Sequence, residues 1–228
     1  MRSPRVCVLR TAGTNCDKET AYAFSALGAK AELVHINSIL NREAFLDDFH
    51  ILALPGGFTY GDDIAAGKVL ANELRYKLGE DLRRFVSQGK LIIGICNGFQ
   101  ILVKAGILPG SEQRPEQEEA PARTFVQEAS LIINDSGSFR DEWVYLKAAK
   151  SQPESLCVWA KDLPEVIYLP IAHGEGKFVT ADQGVLARLR NDRQIVLRYC
   201  DPRGELAGFP HNPNGSLEHI AGICDATG

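Results

Sequence analysis

The 228-residue sequence lacks the features that identify several large classes of protein. No apolar run approaches the roughly 18 residues of a membrane-spanning helix, and the first apolar run, residues 6–9, is too short for a secretory signal. The 25 basic and 29 acidic residues give a net charge of −4, which disfavours binding to nucleic acid or to an anionic membrane. We therefore predict a cytoplasmic protein whose main partner is neither nucleic acid nor a membrane.

Cysteine occurs at six positions, but no two of them form a Cys-x-x-Cys pair. The sequence therefore contains neither a zinc ribbon nor a thioredoxin motif, and we predict no metal site. Four cysteines lie inside apolar runs and are predicted to be buried: Cys7, Cys157, Cys200 and Cys224. In a cytosolic chain all six are expected to be free thiols, of which at most one or two have a chemical role.

With 45% hydrophobic and 24% charged residues, the chain has the composition of a globular protein that is large enough to bury a core. Short apolar runs alternate with longer amphipathic segments, which is typical of a parallel sheet covered by helices. We predict a single α/β domain over residues 1–228, with a central, mostly parallel sheet. The predicted strands of its first half are 6–9, 31–36, 51–54 and 91–95, and the predicted helices are 17–27, 43–49, 65–76, 80–87 and one that starts directly after Cys96.

The second half is predicted to add antiparallel strands. Residues 131–133 and 143–146 flank an Asn-Asp-Ser-Gly turn, which predicts a hairpin. The segment 113–123 is rich in glutamate and proline and has no large apolar residue, so we predict an exposed loop there. Two further strands are predicted at 166–171 and 195–200, with a helix at 182–189 between them.

The strongest local signal is Gly94-Ile95-Cys96-Asn97-Gly98, at the end of a predicted strand. This is the Gly-x-nucleophile-x-Gly pattern of a nucleophile elbow, with sulfur in place of a hydroxyl. The start of the following helix is expected to favour the thiolate and to offer backbone N–H groups to an oxyanion. Cys96 is therefore a candidate nucleophile. The alternative is a buried structural cysteine between glycines that serve packing.

A second glycine turn, Leu54-Pro55-Gly56-Gly57, also follows a predicted strand. The carboxyl ends of parallel strands share one edge of the sheet, where ligands bind. Gly56 and Gly57 are therefore expected to face Cys96, where a backbone N–H can stabilise an oxyanion. The alternative is a plain turn.

The loop 172–176 places His173 and Glu175 one residue apart between glycines, after another predicted strand. One interpretation makes His173 the base for a cysteine nucleophile and Glu175 the group that orients it. The competing interpretation is that this loop binds substrate through its backbone. Surface roles are predicted for the remaining histidines: His35, His50, His211 and His219.

Together these motifs resemble the class I, triad-type glutamine amidotransferases, and more narrowly the glutaminase subunits of phosphoribosylformylglycinamidine synthase. The matching segments extend over nearly the whole chain: 13–17, 54–62, 94–102, 171–178 and 212–216. Gly-x-Cys-x-Gly-x-Gln marks the superfamily, whereas Asn-Cys-Asp, Gly-Gly-Phe-x-Tyr-Gly-Asp and His-Gly-Glu-Gly mark the narrower family. The resemblance implies a flavodoxin-like α/β fold.

The resemblance also implies roles for the matched residues. Cys96 would attack the side-chain amide of L-glutamine to give a γ-glutamyl thioester and ammonia, with Gly57 and the Asn97 N–H as the oxyanion hole. The residues expected to bind glutamine are Gly56, Gln100, His173 and Gly174, with Gln100 holding the α-carboxylate or the amine.

In this family the ammonia passes to a larger synthetase subunit. That subunit uses ATP and Mg to convert formylglycinamide ribonucleotide into the amidine in de novo purine biosynthesis, and a small third subunit bridges the two. The sequence has no Walker-type Gly-x-x-x-x-Gly-Lys-Ser/Thr motif, in agreement with the expectation that this subunit holds no cofactor.

Two features depart from the family pattern. The acidic segment 113–123 is longer than is usual in the family. The family's catalytic His and Glu lie in a C-terminal Pro-His-Pro-Glu motif, which is absent here. Residues 220–228 predict a strand and a hairpin turn without a return strand, an improbable terminus, so we expect a truncated sequence. His173 and Glu175 have the same spacing as the missing His and Glu, but in the family they belong to a different loop.

Two other functional classes stay open at this point. One is a hydrolase of another cysteine-elbow family, such as the DJ-1-like proteins, which would not need Gln100 or the His-Gly-Glu-Gly loop. The other is a non-catalytic interaction subunit, because the family's general base is missing and loss of such a base typically costs about 10²–10⁴ in rate.

Overall fold

The computed structural model describes residues 3–62, 64–110, 112–113, 124–149 and 157–228. The chain divides into two compact units, Met1–Ala105 and Gly106–Gly228. The first contains a parallel sheet with helices, and the second is mainly antiparallel. The predicted α/β class, with a parallel sheet and antiparallel additions, is confirmed.

The first unit is built on a four-stranded parallel sheet in the order β2-β1-β3-β4. Its strands are β1 Arg5–Arg10, β2 Lys30–His35, β3 Ile51–Leu54 and β4 Leu91–Gly94. Its helices are α1 Asp17–Ala26, α2 Ile36–Leu40, α3 Lys68–Lys77, α4 Gly79–Ser87 and α5 Asn97–Ala105. The central strands β1 and β3 are almost fully buried, which explains why each is a nearly continuous apolar run.

All four strands predicted for this unit are present, but the helix predicted at 43–49 is wrong. The chain instead enters α2 directly after β2, and only a single 3₁₀ turn, Leu46–Asp48, forms in the predicted region. The start of α2 is capped by His35, whose Nδ1 accepts a hydrogen bond from the Asn37 N–H at 3.2 Å. This side-chain cap ends the strand one residue earlier than the apolar pattern indicates.

The second unit contains one α-helix, α6 Gln183–Asn191, within its described residues. Its main sheet is antiparallel, in the order β12-β11-β8-β9, and β7 pairs separately with β10. The strands are β5 Glu112–Gln113, β6 Thr124–Phe125, β7 Ala129–Ile132, β8 Arg140–Ala148, β9 Val166–His173, β10 Lys177–Thr180, β11 Ile195–Cys200 and β12 Ile220–Ile223.

The predicted hairpin between β7 and β8 does not form, although the turn between them does. The Gly137 N–H donates to the Asn134 carbonyl at 2.8 Å, as a tight turn requires. Beyond the turn β7 pairs with β10, whereas β8 pairs with β9 and β11. The turn signal is local, but the choice of partner strand is made by contacts that are distant in sequence.

The expectation of an unpaired strand at 220–223 is also wrong. β12 pairs antiparallel with β11, and the Cys224 N–H donates to the Gln194 carbonyl at 2.8 Å. The side chain of Gln194, which is buried, donates to the carbonyls of Pro109 at 2.9 Å and Cys224 at 3.0 Å. Most of the predicted acidic loop, 114–123, lies outside the described residues, and its two ends pair as β5 and β6.

Candidate active site

A sharp turn between β4 and α5 presents the thiol of Cys96. The residue has φ +55°, a left-handed conformation that is strained for any residue other than glycine and is characteristic of a nucleophile elbow. The turn is closed by hydrogen bonds from the N–H groups of Phe99 and Gln100 to the Cys96 carbonyl, at 3.0 and 3.1 Å. Cys96 and Cys16 are exposed, whereas the four cysteines predicted to be buried are buried.

The two glycines that flank Cys96 are required by the close approach of α5 to the sheet. A Cβ on Gly98 would lie 2.0 Å from the Leu54 carbonyl oxygen, and one on Gly94 would lie 2.5 Å from the Gly98 carbonyl oxygen. Both distances are far below any van der Waals contact. The elbow therefore exists only because neither position carries a side chain.

Two backbone N–H groups converge on the Cys96 sulfur, one from Asn97 and one from Gly57. They come from different loops, one at the start of α5 and one after β3. Gly56 also lies beside Cys96, since a Cβ on it would lie 3.3 Å from the Cys96 Cβ. The structure thus brings together Gly56, Gly57, Cys96 and Asn97, as the sequence predicts.

The pKa of the Cys96 thiol is nevertheless raised above its ordinary value. Cys96 is exposed as a residue, but desolvation of its sulfur is the main cause; Cys16 and Asp62 raise the pKa further, and the Asn97 and Gly57 N–H groups lower it. The Asn97 N–H at the start of α5 favours the thiolate, as expected, but its effect is smaller than that of desolvation. A thiol with this pKa needs a general base to become a nucleophile at neutral pH.

In the described part of the first unit, residues 3–62 and 64–105, no histidine lies where it could act as that base. His35 ends β2, which is three strands away from β4 in the sheet, about 14 Å at the usual strand spacing. His50 precedes β3, at the opposite edge, and its Nδ1 accepts a hydrogen bond from the Arg5 N–H at 3.0 Å.

Gln100, the predicted glutamine-binding residue on α5, is buried beside this cluster. Its Oε1 accepts a hydrogen bond from Asn97 Nδ2 at 3.0 Å. Sequence reasoning gave no role to Thr59 and Asp62, which also contact Asn97. The signal was available in the Gly-Gly-Phe-x-Tyr-Gly-Asp segment, but only the folded chain shows which of its side chains reach α5.

His173 and Gly174 lie in the second unit, at the end of β9. His173 Nδ1 lies 3.2 Å from Asn134 Oδ1, which also accepts from the Gly176 N–H at 2.9 Å. Since Asn134 Nδ2 donates to two carbonyls, its Oδ1 can only accept, and His173 must carry its proton on Nδ1. The interpretation of Glu175 as the orienting partner is therefore wrong, because Asn134 occupies Nδ1 and Nε2 has no hydrogen-bond partner.

The turn 212–216 lies inside the second unit, where Asn212, Asn214 and Ser216 are buried. Asn214 is fully buried, and its Nδ2 donates to the Gly176 carbonyl at 2.9 Å and to the Tyr199 hydroxyl at 3.1 Å. Ser216 completes the connection by donating its hydroxyl to Asn214 and accepting from the Phe178 N–H at 2.9 Å. Two of the family segments are therefore tied together by buried hydrogen bonds.

Burial lowers the pKa of His173 below its ordinary value. Between this lowered pKa and about 6.5, the unfolded chain binds more protons than the native chain, so stability falls as the pH falls. We expect the free energy of unfolding to decrease between pH 7.5 and 5.5 more in the unmodified chain than in His173→Gln. Urea unfolding of both proteins at several pH values measures this difference, and identical pH dependences would contradict it.

Among the described residues, no group of three or more His, Cys, Asp or Glu side chains is arranged to hold a metal ion. In the same part of the chain, no helix combines the length and the apolar character needed to cross a membrane.

Comparison with known proteins agrees with these features. Residues 3–228 match the CobB/CobQ-like glutamine amidotransferase domain family. The PurQ subunit of phosphoribosylformylglycinamidine synthase from Dehalococcoides mccartyi is 46% identical over 229 residues, covering 100% of this chain and 82% of that protein. The corresponding subunit of Treponema denticola is 42% identical over 230 residues, covering 99% of this chain and 84% of that protein.

A chain in the structure of PurLQS from Thermotoga maritima is similar in fold and sequence. Its TM-score is 0.68 at 31% identity, covering 98% of this chain and 85% of that one. A second glutamine amidotransferase of T. maritima shares the fold alone, with a TM-score of 0.50 at 14% identity over 87% of this chain and 68% of that one. On this evidence the chain belongs to the PurQ subunit family of phosphoribosylformylglycinamidine synthase.

Proposed function

We propose that this chain is the glutaminase subunit of a phosphoribosylformylglycinamidine synthase. It hydrolyses L-glutamine through a thioester on Cys96 and supplies ammonia for purine biosynthesis in the cytoplasm. The observation that carries the mechanism is the convergence of the Gly57 and Asn97 N–H groups on the sulfur of an elbow cysteine. The same two donors would stabilise the oxyanion that forms when a thiolate attacks an amide.

The chemistry proceeds in two stages. The Cys96 sulfur attacks the γ-carbonyl carbon of glutamine while a base takes the thiol proton, and the tetrahedral intermediate collapses with release of ammonia, which carries that proton. Water then attacks the γ-glutamyl thioester, releases glutamate and restores the thiol. The resemblance places the base in the family's Pro-His-Pro-Glu motif, which this sequence lacks, and gives His173 a role in glutamine binding instead.

Glutamine recognition is assigned to Gly56, Gln100, His173 and Gly174. Gly56 lies directly beside Cys96, and Gln100 is held by the oxyanion residue Asn97. His173 and Gly174 are included on the family resemblance.

The ammonia acceptor belongs to a partner. We propose that a larger synthetase subunit holds ATP and Mg and converts formylglycinamide ribonucleotide into the amidine, and that a small third subunit bridges the two. The similarity to a chain in the T. maritima PurLQS structure supports such an assembly. No cofactor is proposed for the glutaminase chain itself.

Selective labelling tests the assignment of Cys96. The electrophilic glutamine analogue 6-diazo-5-oxo-L-norleucine should modify Cys96 ahead of the other five cysteines, because Cys96 is exposed at an elbow with the Asn97 and Gly57 N–H groups directed at it, whereas Cys157, which also receives two backbone N–H groups, is buried. Peptide mass spectrometry measures the modification at each site, and excess L-glutamine should protect Cys96. Cys16→Ser is the matched control, because Cys16 is the other exposed thiol and its loss should leave labelling intact. Even labelling of all cysteines, or labelling centred on Cys16, would contradict the assignment.

Amidine synthesis tests the partnership. With ATP, glutamine and formylglycinamide ribonucleotide, the isolated chain should make no amidine, whereas addition of the synthetase subunit should allow its formation. Chromatographic detection of the amidine nucleotide decides the outcome, and product formation by the isolated chain would refute the proposed division of labour.

A further inference from the structure

The side chain of Asn97 is buried, with 1% of its surface exposed, and all of its hydrogen-bonding capacity is used. Its Oδ1 accepts from the Thr59 N–H at 3.3 Å and from the Thr59 hydroxyl at 2.7 Å. Its Nδ2 donates to Asp62 Oδ1 at 3.2 Å and to Gln100 Oε1 at 3.0 Å. A backbone N–H can only donate and a carboxylate can only accept, so the orientation of this amide is unambiguous.

These hydrogen bonds connect the two segments that supply the N–H donors. Thr59 and Asp62 belong to the loop that begins at Gly57, whereas Asn97 is the first residue of α5. The Asn97 side chain therefore ties the loop that carries one donor to the helical turn that carries the other.

Asp62 extends the connection to a third segment. Its Oδ1 also accepts from the Gly67 N–H at 2.8 Å, immediately before α3. Gly67 in turn packs closely on α5, since a Cβ there would lie 2.6 Å from Ile101 Cγ1. Asp62 itself has φ +54°, a conformation that a non-glycine residue keeps only when its surroundings hold it.

We propose that Thr59 and Asp62 are positioning residues for the oxyanion hole. They hold Asn97, and through it the N–H groups of Asn97 and Gly57, in place before the tetrahedral intermediate forms. The inference rests on the proposed glutaminase function. Preorganised donors act mainly on the transition state, so loss of this support lowers kcat and leaves the KM for glutamine nearly unchanged.

Two matched pairs of variants separate the hydrogen bonds from side-chain size and charge. Thr59→Val removes the hydroxyl at similar volume, whereas Thr59→Ser keeps it. Asp62→Ala removes the acceptor, whereas Asp62→Asn keeps an acceptor oxygen. We expect kcat for glutamate release, measured with the synthetase partner present, to fall about 10-fold in Thr59→Val and about 10- to 100-fold in Asp62→Ala. The two conservative variants should stay within about threefold of the unmodified protein, and KM within about twofold in all four.

Alkylation of Cys96 by iodoacetamide separates positioning of the oxyanion hole from general support of the fold. If Thr59 and Asp62 only supported the fold, their loss would slow this alkylation as well as catalysis. This reaction displaces iodide from a saturated carbon and forms no oxyanion, so the rate constant of the thiolate itself, taken from the high-pH plateau of the pH–rate profile, should stay within about threefold in Thr59→Val and Asp62→Ala. A parallel fall of alkylation and kcat, unfolding of both variants, or unchanged kcat in both would overturn the proposal. If Asp62→Ala alone unfolds, the Thr59 pair decides the outcome. An unmodified protein that releases no glutamate would instead refute the glutaminase function itself.

Discussion

Replacement of Cys96 by alanine is expected to abolish glutamine-dependent amidine formation, with a loss of about 10⁴-fold or more. The alanine side chain has no nucleophile, so the γ-glutamyl thioester cannot form, and neither donor of the oxyanion hole can replace covalent catalysis. The rate of glutamate release and the rate of amidine formation, both measured with the synthetase partner present, test this expectation.

Ammonium salts provide the control for this experiment. The proposed synthetase accepts ammonia, so amidine formation by the complex with Cys96→Ala should return when ammonium is supplied in place of glutamine. Cys16→Ala is the matched substitution at the neighbouring exposed thiol, and it should retain most of the glutaminase activity. Substantial glutamate release by Cys96→Ala, or its loss only in Cys16→Ala, would contradict the assignment of the nucleophile.

Gly57→Ala is expected to reduce kcat for glutamate release by about 10²–10³, the loss that follows removal of one oxyanion donor. Gly57 has φ +133°, and a Cβ there would lie 2.3 Å from Asn15 Oδ1 and 2.7 Å from the Asn15 backbone nitrogen. The loop must move to relieve this overlap, and its N–H then no longer points at the Cys96 sulfur. Steady-state kinetics with L-glutamine measures the effect.

Gly28→Ala separates misplacement of the donor from simple backbone strain. Gly28 also has a positive φ, +86°, but a Cβ there would meet no other atom within 4 Å. Both substitutions carry the left-handed strain, about 1–2 kcal/mol, whereas only Gly57→Ala also displaces an active-site group. Equal losses of activity in the two variants, or an unchanged kcat in Gly57→Ala, would show that this N–H does not act in the reaction.

Local patterns in the sequence were sufficient for the elements that carry the candidate site. β1, β3 and β4 are short apolar runs, and the glycines around Cys96 mark a turn that no larger residue could make. Parallel strands present their carboxyl ends at one edge. The juxtaposition of Gly56, Gly57, Cys96 and Asn97 could therefore be predicted without coordinates.

The pairing of the strands and the pKa of Cys96 depend on contacts between residues far apart in the chain. The turn after β7 is local, but β7 pairs with β10, and Asn134 is hydrogen-bonded to His173 at the end of β9 and to Gly176 just beyond it. The start of α5 is expected to favour the Cys96 thiolate, and the Asn97 N–H has this effect, but desolvation of the sulfur, with Cys16 and Asp62 nearby, raises the thiol pKa overall. Desolvation depends on every atom packed around the sulfur, and no motif encodes that surrounding. For the same reason, only the folded chain shows that Thr59 and Asp62 meet the side chain of Asn97.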